Sequence, residues 1–184
     1  MIGGAADVPV TVVHAELDVP DVPAFVADVQ RLSARLGVPV QAVRADRLTG
    51  PLHVLMAARH AARAARADRS RADDPAVAWL LFAAAARQIQ RAVADLGVPA
   101  GPTSVAFVVL GDVVAEVASG ALQATYPQAH VRGTWSSSDG VGSSAWPQVS
   151  EALAWWRARL GGDDERTVRD RVCAAMAVRQ VERA

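Results

Sequence analysis

The sequence predicts an α+β fold: a single mixed domain over residues 1–184, in which a small, mostly antiparallel β-sheet packs with several α-helices. The chain has 184 residues, 52% of them hydrophobic and 21% charged, which suits one globular domain with a substantial core. The predicted elements follow the order β-α-β-α-α-β-α-α-α-β, which does not repeat as βαβ units. No internal repeat is visible.

The first elements are predicted from β-branched runs and helix-capping residues. Residues 10–13 are β-branched and predict a short strand. Asp21 and Gly37 predict the start and the end of the helix between them. A second strand is predicted over residues 38–45, and Thr49 is the predicted cap of the next helix.

A long helix is predicted from about residue 76 to residue 96, with Gly97 at its end. Its apolar residues recur at intervals of three and four, which is the pattern of one buried helix face. This predicted core stripe consists of Leu81, Ala85, Ile89, Val93 and Leu96. The Arg-Gln pair at 87–88 interrupts an otherwise apolar sequence.

The second half of the chain is predicted from composition as well as periodicity. The apolar run at 103–110 predicts a strand, and a short helix is predicted over 113–123. Residues 126–147 are rich in Ser and Gly and predict a loop or insertion. Helices are then predicted over 148–160 and through about residue 172, the second capped by Asp163 and Asp164. Residues 176–181 are predicted to form a terminal strand.

The charge balance is neutral overall but uneven along the chain. The sequence has 19 acidic and 19 basic residues, and every basic residue is Arg. Residues 44–72 contain seven Arg and two Asp, which makes this segment a positive patch. The all-Arg usage fits a GC-rich genome, and it also fits phosphate recognition, because a guanidinium binds phosphate with two parallel hydrogen bonds.

Several classes of function are disfavoured by the sequence. The one cysteine, Cys173, gives no disulfide framework and is expected to be a buried structural residue. No apolar stretch reaches the ~20 residues of a membrane span, so we expect a cytoplasmic protein. His53 and His60 lie too far apart on one helix to share a metal ion, and no phosphate-loop or nucleophile motif is present. We therefore expect no catalytic residue, no metal and no cofactor.

One group of polar residues remains, on the helix predicted after Thr49 and on the long helix predicted over residues 76–96. Arg59, Arg63 and Arg66 recur on one face, and the interpretation of a simply solvated helix side stays open. Read together, Arg, His and Gln side chains suit phosphates and exposed base edges of RNA. The candidate RNA-binding residues are His53, Arg59, Arg63, Arg87, Gln88 and Arg91.

Two motifs in this part of the chain resemble those of a known family. They are Gly50-x-x-His53-x-x-x-Ala57 and, in an apolar helical context, Arg87-Gln88-Ile89-x-x-Ala92 followed by Gly97. With the preceding residues 40–45, they resemble the TPRKB (PRPK-binding protein) family, the small kinase-binding subunit of the KEOPS complex. Where that family often has a Gly before the Arg-Gln pair, this chain has Ala85.

The resemblance implies a non-catalytic role in tRNA modification. It implies binding and activation of the small PRPK-type kinase/ATPase, and through it association with the threonylcarbamoyl transferase subunit. It also implies binding of the tRNA 3′ CCA end for threonylcarbamoyladenosine synthesis next to the anticodon. Met176 and Val178 of the predicted terminal strand are the candidate kinase contacts. Two alternatives stay open: a kinase-binding module without tRNA contact, and a small-molecule enzyme using His53, Arg87 and Gln88.

Overall fold

A computed structural model describes residues 8–67, 72–140, 146 and 149–181 of the chain. The strands are β1 (Val10–Val19), β2 (Val40–Arg44), β3 (Gly101–Leu110) and β4 (His130–Ser136). The helices are α1 (Val22–Leu36), α2 (Pro51–Arg66), α3 (Pro75–Ala83), α4 (Ile89–Leu96), α5 (Ala115–Thr125), α6 (Ser150–Leu160) and α7 (Glu165–Val181). The predicted α+β class is confirmed. Among these described helices, none combines the length and the apolarity that a membrane crossing requires.

The sheet is four-stranded and antiparallel, with the order β2-β3-β1-β4. Its two central strands, β1 and β3, are buried on both faces: Val12 packs into one core cluster, and the adjacent Val13 packs into the other. Residues 105–109 of β3 are all buried, because both faces of this part of the strand are covered. This is why the sequence is a continuous apolar run there instead of an alternating pattern.

Two helical layers cover the sheet, and they differ in charge. Helices α1 and α5 pack on one face, and α2, α3, α4, α6 and α7 pack on the other. The described residues 8–43 and 101–140 contain seven acidic residues and three Arg. The described residues 44–67 and 72–100 contain seven Arg and four Asp. Within the second layer, the segment that contains α2, α3 and α4 therefore carries an excess of positive charge.

Most of the elements predicted in the first half are confirmed. Asp21 caps α1 by accepting a 2.7 Å hydrogen bond from the Ala24 N–H, and Gly37 ends the helix with a left-handed φ of 69°. The predicted second strand corresponds to β2. In the second half, the predicted apolar strand is β3, and the short helix that follows it is α5.

The predicted long helix over residues 76–96 is wrong, because the chain forms two helices with a turn between them. At the end of α3, the Ala86 N–H donates to the Leu81 carbonyl at 3.0 Å, and the Ala85 N–H donates to the Phe82 carbonyl at 2.9 Å. This pair of bonds is the Schellman motif of a helix C-terminus. The motif places Ala85 in the left-handed region, with φ +47°.

Two further predictions from the second half are corrected. The segment predicted as a loop or insertion at 126–147 contains strand β4, an edge strand paired with β1, and its Trp135 is buried. The terminal strand predicted at 176–181 is helical, because α7 runs to Val181. Val168, Val172 and Met176 recur every four residues and are all buried, which is the periodicity of a helix. Cys173 lies on this helix and is partly buried.

We expect Ala85→Gly to stabilise the protein by about 0.5–1 kcal/mol. A Cβ atom disfavours the left-handed conformation, and glycine adopts it without that penalty. Chemical denaturation followed by circular dichroism measures the difference. Ala84→Gly is the matched control, since Ala84 has φ −76° and gains nothing from glycine. An Ala85→Gly variant that is no more stable than the parent would contradict the strain at this turn.

Candidate functional site

The Arg87–Gln90 segment spans the end of the turn between α3 and α4 and the start of α4, and it lies on the protein surface. Residues 87–91 are all exposed. Together with Leu81, the segment lines an open groove of about 520 Å³. The groove is therefore lined by three polar residues and Ile89 around the start of α4, together with an apolar residue of α3.

The N-terminus of α4 makes this groove favourable for anions. Gln88 is the N-cap residue in an extended conformation, and its side chain does not cap the helix. The first turn of α4 has no acidic residue. Its leading backbone N–H groups have no acceptor within the helix, and the helix dipole adds a partial positive charge there. Arg87 adds a full positive charge beside these donors.

The core stripe predicted for the long helix is corrected at two positions. Ile89 is 48% exposed and Val93 is 50% exposed, whereas Ala92 and Leu96 are fully buried. The turn at Ala85 rotates α4 relative to α3, so the spacing of a continuous helix no longer applies. As a result, two apolar side chains one turn apart lie on the surface, and the first of them, Ile89, lines the groove.

His53 lies below the groove and is buried, with 1% of its surface exposed. Its Nδ1 accepts a 3.2 Å hydrogen bond from the Thr49 N–H, and its Nε2 donates to the Ala83 carbonyl at 2.9 Å. A carbonyl can only accept, so the ring is the neutral Nε2–H tautomer. Burial lowers the pKa of His53 to about 4, although the bond to Ala83 opposes this shift. A direct contact between this ring and RNA is not supported.

The same hydrogen bonds correct the predicted cap of α2. The N-cap residue is Gly50, not Thr49, and the Thr49 backbone is used to hold the imidazole. The Ala83 carbonyl is one of those that the Schellman motif leaves without a partner inside α3. His53 therefore connects the start of α2 to the turn that precedes the groove, which is a positioning role.

Arg91 belongs to an ion-pair network that joins α4 to α6. Its Nε lies 3.0 Å from Oδ2 of Asp95, and Nη2 of Arg159 lies 2.9 Å from the same oxygen. Asp95 is 8% exposed. A buried carboxylate requires compensation by opposite charge, and here two guanidinium groups provide it.

Arg159 and Arg47 also pack around one aromatic side chain of α6. The guanidinium carbon of Arg47 lies 4.9 Å from the ring centroid of Trp155, and that of Arg159 lies 5.3 Å from it. The neighbouring Trp156 is buried, meets the His53 ring edge-to-face and donates through its indole N–H to the Arg47 carbonyl at 2.9 Å. The network around α6 thus extends to His53.

The other candidate RNA-binding residues lie farther along α2. Arg59 is partly buried and Arg63 is exposed. Arg63 follows His53 by ten residues, which is about 15 Å along a helix. Since His53 contacts the end of α3, the Arg59, Arg63 and Arg66 stripe extends away from the groove. The sequence prediction of one combined cluster is therefore not supported, because the stripe and the Arg87 segment are separate surfaces.

The two candidate kinase contacts differ in exposure. Both lie on α7 instead of a strand. Met176 is fully buried in the core and cannot contact a partner in this structure, whereas Val178 is 55% exposed.

The residues that sequence reasoning missed are Arg47, Asp95, Trp155 and Arg159. Arg47 and Arg159 are far apart in the sequence, and only the packing of α6 brings them together. The spacing of Arg91 and Asp95, four residues apart on a helix, was the one local signal for an ion pair. No protein-family model matches this chain, and no curated protein has significant sequence similarity to it.

We expect the free energy of unfolding to fall as the pH decreases from about 6.5 toward 4. Burial lowers the pKa of both His53 and His14 from 6.5 to about 4, so in this window the unfolded chain binds protons that the folded chain does not. Denaturation at several pH values should give a smaller slope of unfolding free energy against pH for His53→Gln than for the parent. His130→Gln, at an exposed position, is the control and should keep the parent slope. An unchanged slope in His53→Gln would contradict the buried neutral state.

Double-mutant cycles should show that Asp95 couples more strongly to Arg159 than to Arg91. The Arg159 side chain is 25% exposed and the Arg91 side chain is 59% exposed, so water screens the second pair more. With Asp95→Asn, Arg159→Gln and Arg91→Gln, we expect coupling energies of about 1–2 kcal/mol and about 0.5 kcal/mol, respectively. Equal couplings would show that burial does not distinguish the two pairs.

Proposed function

We propose that this protein is a non-catalytic subunit of the KEOPS tRNA-modification complex. In this role it binds and activates the small PRPK-type kinase/ATPase and recruits tRNA through the 3′ CCA end. The complex then makes threonylcarbamoyladenosine next to the anticodon. The family resemblance is the source of the named complex, and the groove at the start of α4 is the structural observation that supports it.

The groove suits a single-stranded RNA end for chemical reasons. Phosphates are recognised by backbone N–H groups at a helix N-terminus and by Arg side chains, and α4 with Arg87 offers both. Gln88 and Gln90 are exposed and can hydrogen-bond to the edges of unstacked bases. Ile89 offers an apolar surface to a base. Double-stranded RNA presents no such free bases, which favours a single-stranded terminus.

The turn at Ala85 gives independent support to the resemblance. The family often has a Gly at this position, and the backbone here adopts φ +47°, a conformation that glycine favours. A Gly at this place would thus serve the same Schellman turn before the Arg-Gln pair. His53 fits the family motif as well, although it acts through the Ala83 carbonyl and not by touching RNA.

A second candidate function is a kinase-binding module without direct tRNA contact. Ile89 and Val93 are half exposed and adjacent on α4, and Val178 on α7 is exposed too. Apolar side chains of this kind suit the centre of a protein interface. The enzyme alternative is less well supported, because the groove is open and His53 does not line it.

Arg87→Glu should weaken tRNA binding by about tenfold or more and leave the fold intact. The substitution places a negative charge beside the phosphates of the RNA end. Gel shifts with intact tRNA and with tRNA lacking CCA measure the effect, and only the intact tRNA should lose affinity. Arg35→Glu is the matched control, since Arg35 lies on α1, which packs on the opposite face of the sheet from α4.

The same gel shifts separate the two candidate functions. Parent protein that binds both tRNAs equally would contradict the assignment of the 3′ end to this groove. Co-purification with the PRPK-type kinase but no tRNA shift at low salt would favour the kinase-binding module. If Arg87→Glu instead lowers the thermal stability strongly, Arg87 has a structural role.

A further inference from the structure

A second surface that suits nucleic acid lies on α6, which an ion pair between Asp95 and Arg159 links to α4. Trp155 is partly exposed, and the guanidinium groups of Arg47 and Arg159 stack against it. An Arg side chain that packs over an aromatic ring loses less freedom when it binds a ligand. Bases stack on guanidinium planes as well as on aromatic rings, so this arrangement offers a platform for a base.

Arg47 is the least compensated cation of this platform. The nearby Asp46 accepts hydrogen bonds from Nε and Nη2 of Arg44 at 2.9 and 2.6 Å, whereas its distance to Arg47 is 3.7 Å. The Nε of Arg47 is buried and has no hydrogen-bond partner among the described residues. Burial lowers the pKa of Arg47, and the nearby carboxylates of Asp46, Glu151 and Asp95 oppose this shift. The Arg47 side chain is 18% exposed, and a guanidinium binds phosphate through its outer N–H groups.

The platform and the groove are joined by one carboxylate. Asp95 contacts Arg159 of the platform and Arg91 of the first turn of α4 through the same oxygen. Arg91 follows Gln88, the N-cap of α4, by three residues. A chain of guanidinium groups therefore leads from the groove to Trp155, as expected for a surface that follows an RNA backbone.

We propose that Arg47, Trp155 and Arg159 form a second nucleotide subsite, which takes the base and phosphate of a single-stranded nucleotide upstream of those in the groove. The base stacks on the Arg–Trp platform, and the Arg47 guanidinium binds the adjacent phosphate. This inference rests on the proposed function, since it assumes that the groove holds the 3′ end of an RNA.

Fluorescence anisotropy with labelled RNA oligonucleotides of three to seven nucleotides, all ending in CCA, tests the subsite with the full chain. For the parent, affinity should rise when the oligonucleotide becomes long enough to reach Trp155. Trp155→Leu should remove this rise, at a loss of about tenfold for the longer oligonucleotides, and should leave the binding of the trinucleotide unchanged. Trp155→Phe keeps an aromatic ring and should restore most of the rise.

Salt dependence tests the phosphate contact separately. Arg47→Gln should reduce the slope of log affinity against log salt concentration by about 0.7 for the long oligonucleotide only. Arg157→Gln is the control, since Arg157 is an exposed residue of the same helix. Circular dichroism and thermal unfolding show whether each variant is folded. If Trp155→Leu is misfolded, Arg47→Gln is the deciding variant.

The outcomes separate the subsite from the proposed function. If Trp155→Leu and Arg47→Gln bind long and short oligonucleotides as the parent does, the subsite is overturned while the groove assignment stands. If the parent shows no rise in affinity with length, the subsite is overturned as well. If the parent binds none of the oligonucleotides, both proposals fail together.

Discussion

The arrangement of α2, α3 and α4, which carry the excess of positive charge, depends on the hydrogen bond from His53 Nε2 to the Ala83 carbonyl. It is buried, and the acceptor is a carbonyl that the end of α3 leaves unsatisfied. Loss of this donor would leave a buried carbonyl without a partner, which costs about 1–3 kcal/mol. The bond therefore favours the turn after Ala83 over a continuous helix, and the turn determines where α4 begins.

The same imidazole connects the turn to α6. Its ring meets Trp156 edge-to-face at 5.6 Å, and Trp156 in turn donates to the Arg47 carbonyl. Elements from four places in the sequence thus meet around one neutral histidine. Because the ring has no unused nitrogen, it cannot bind a ligand without releasing the backbone. Its contribution to function is the geometry of exposed residues that it does not touch.

The sequence was sufficient to predict a helix or strand where the local signals agree with the tertiary packing. Asp21 and Gly37 fix α1 through capping, and the apolar run of β3 is decisive because both faces are buried. The prediction failed at Ala84–Ala86, since alanine has the highest helix propensity and nothing local marks a turn. The prediction of a terminal strand failed because the helical spacing of Val168, Val172 and Met176 continues past residue 172, where the last helix was predicted to end.

The candidate site was predictable only in part for similar reasons. Arg87 and Gln88 stand out as polar residues in an apolar segment, and they are exposed as expected. The partners that organise the surrounding surface come from other elements. No spacing rule relates Asp95 to Arg159, or Arg47 to Trp155, because their proximity is a product of helix packing.

The strand order has a consequence for how the protein folds. In the centre of the sheet, Val10 pairs with Leu110 and Val19 pairs with Gly101, so β1 has to wait for a partner made much later in synthesis. Until β3 appears, an apolar strand suited to burial on both sides stays uncovered. Pairings this distant slow folding and expose the nascent chain to aggregation. The residues of the groove leave the ribosome before β3, yet the sheet beneath their helices is completed only afterwards.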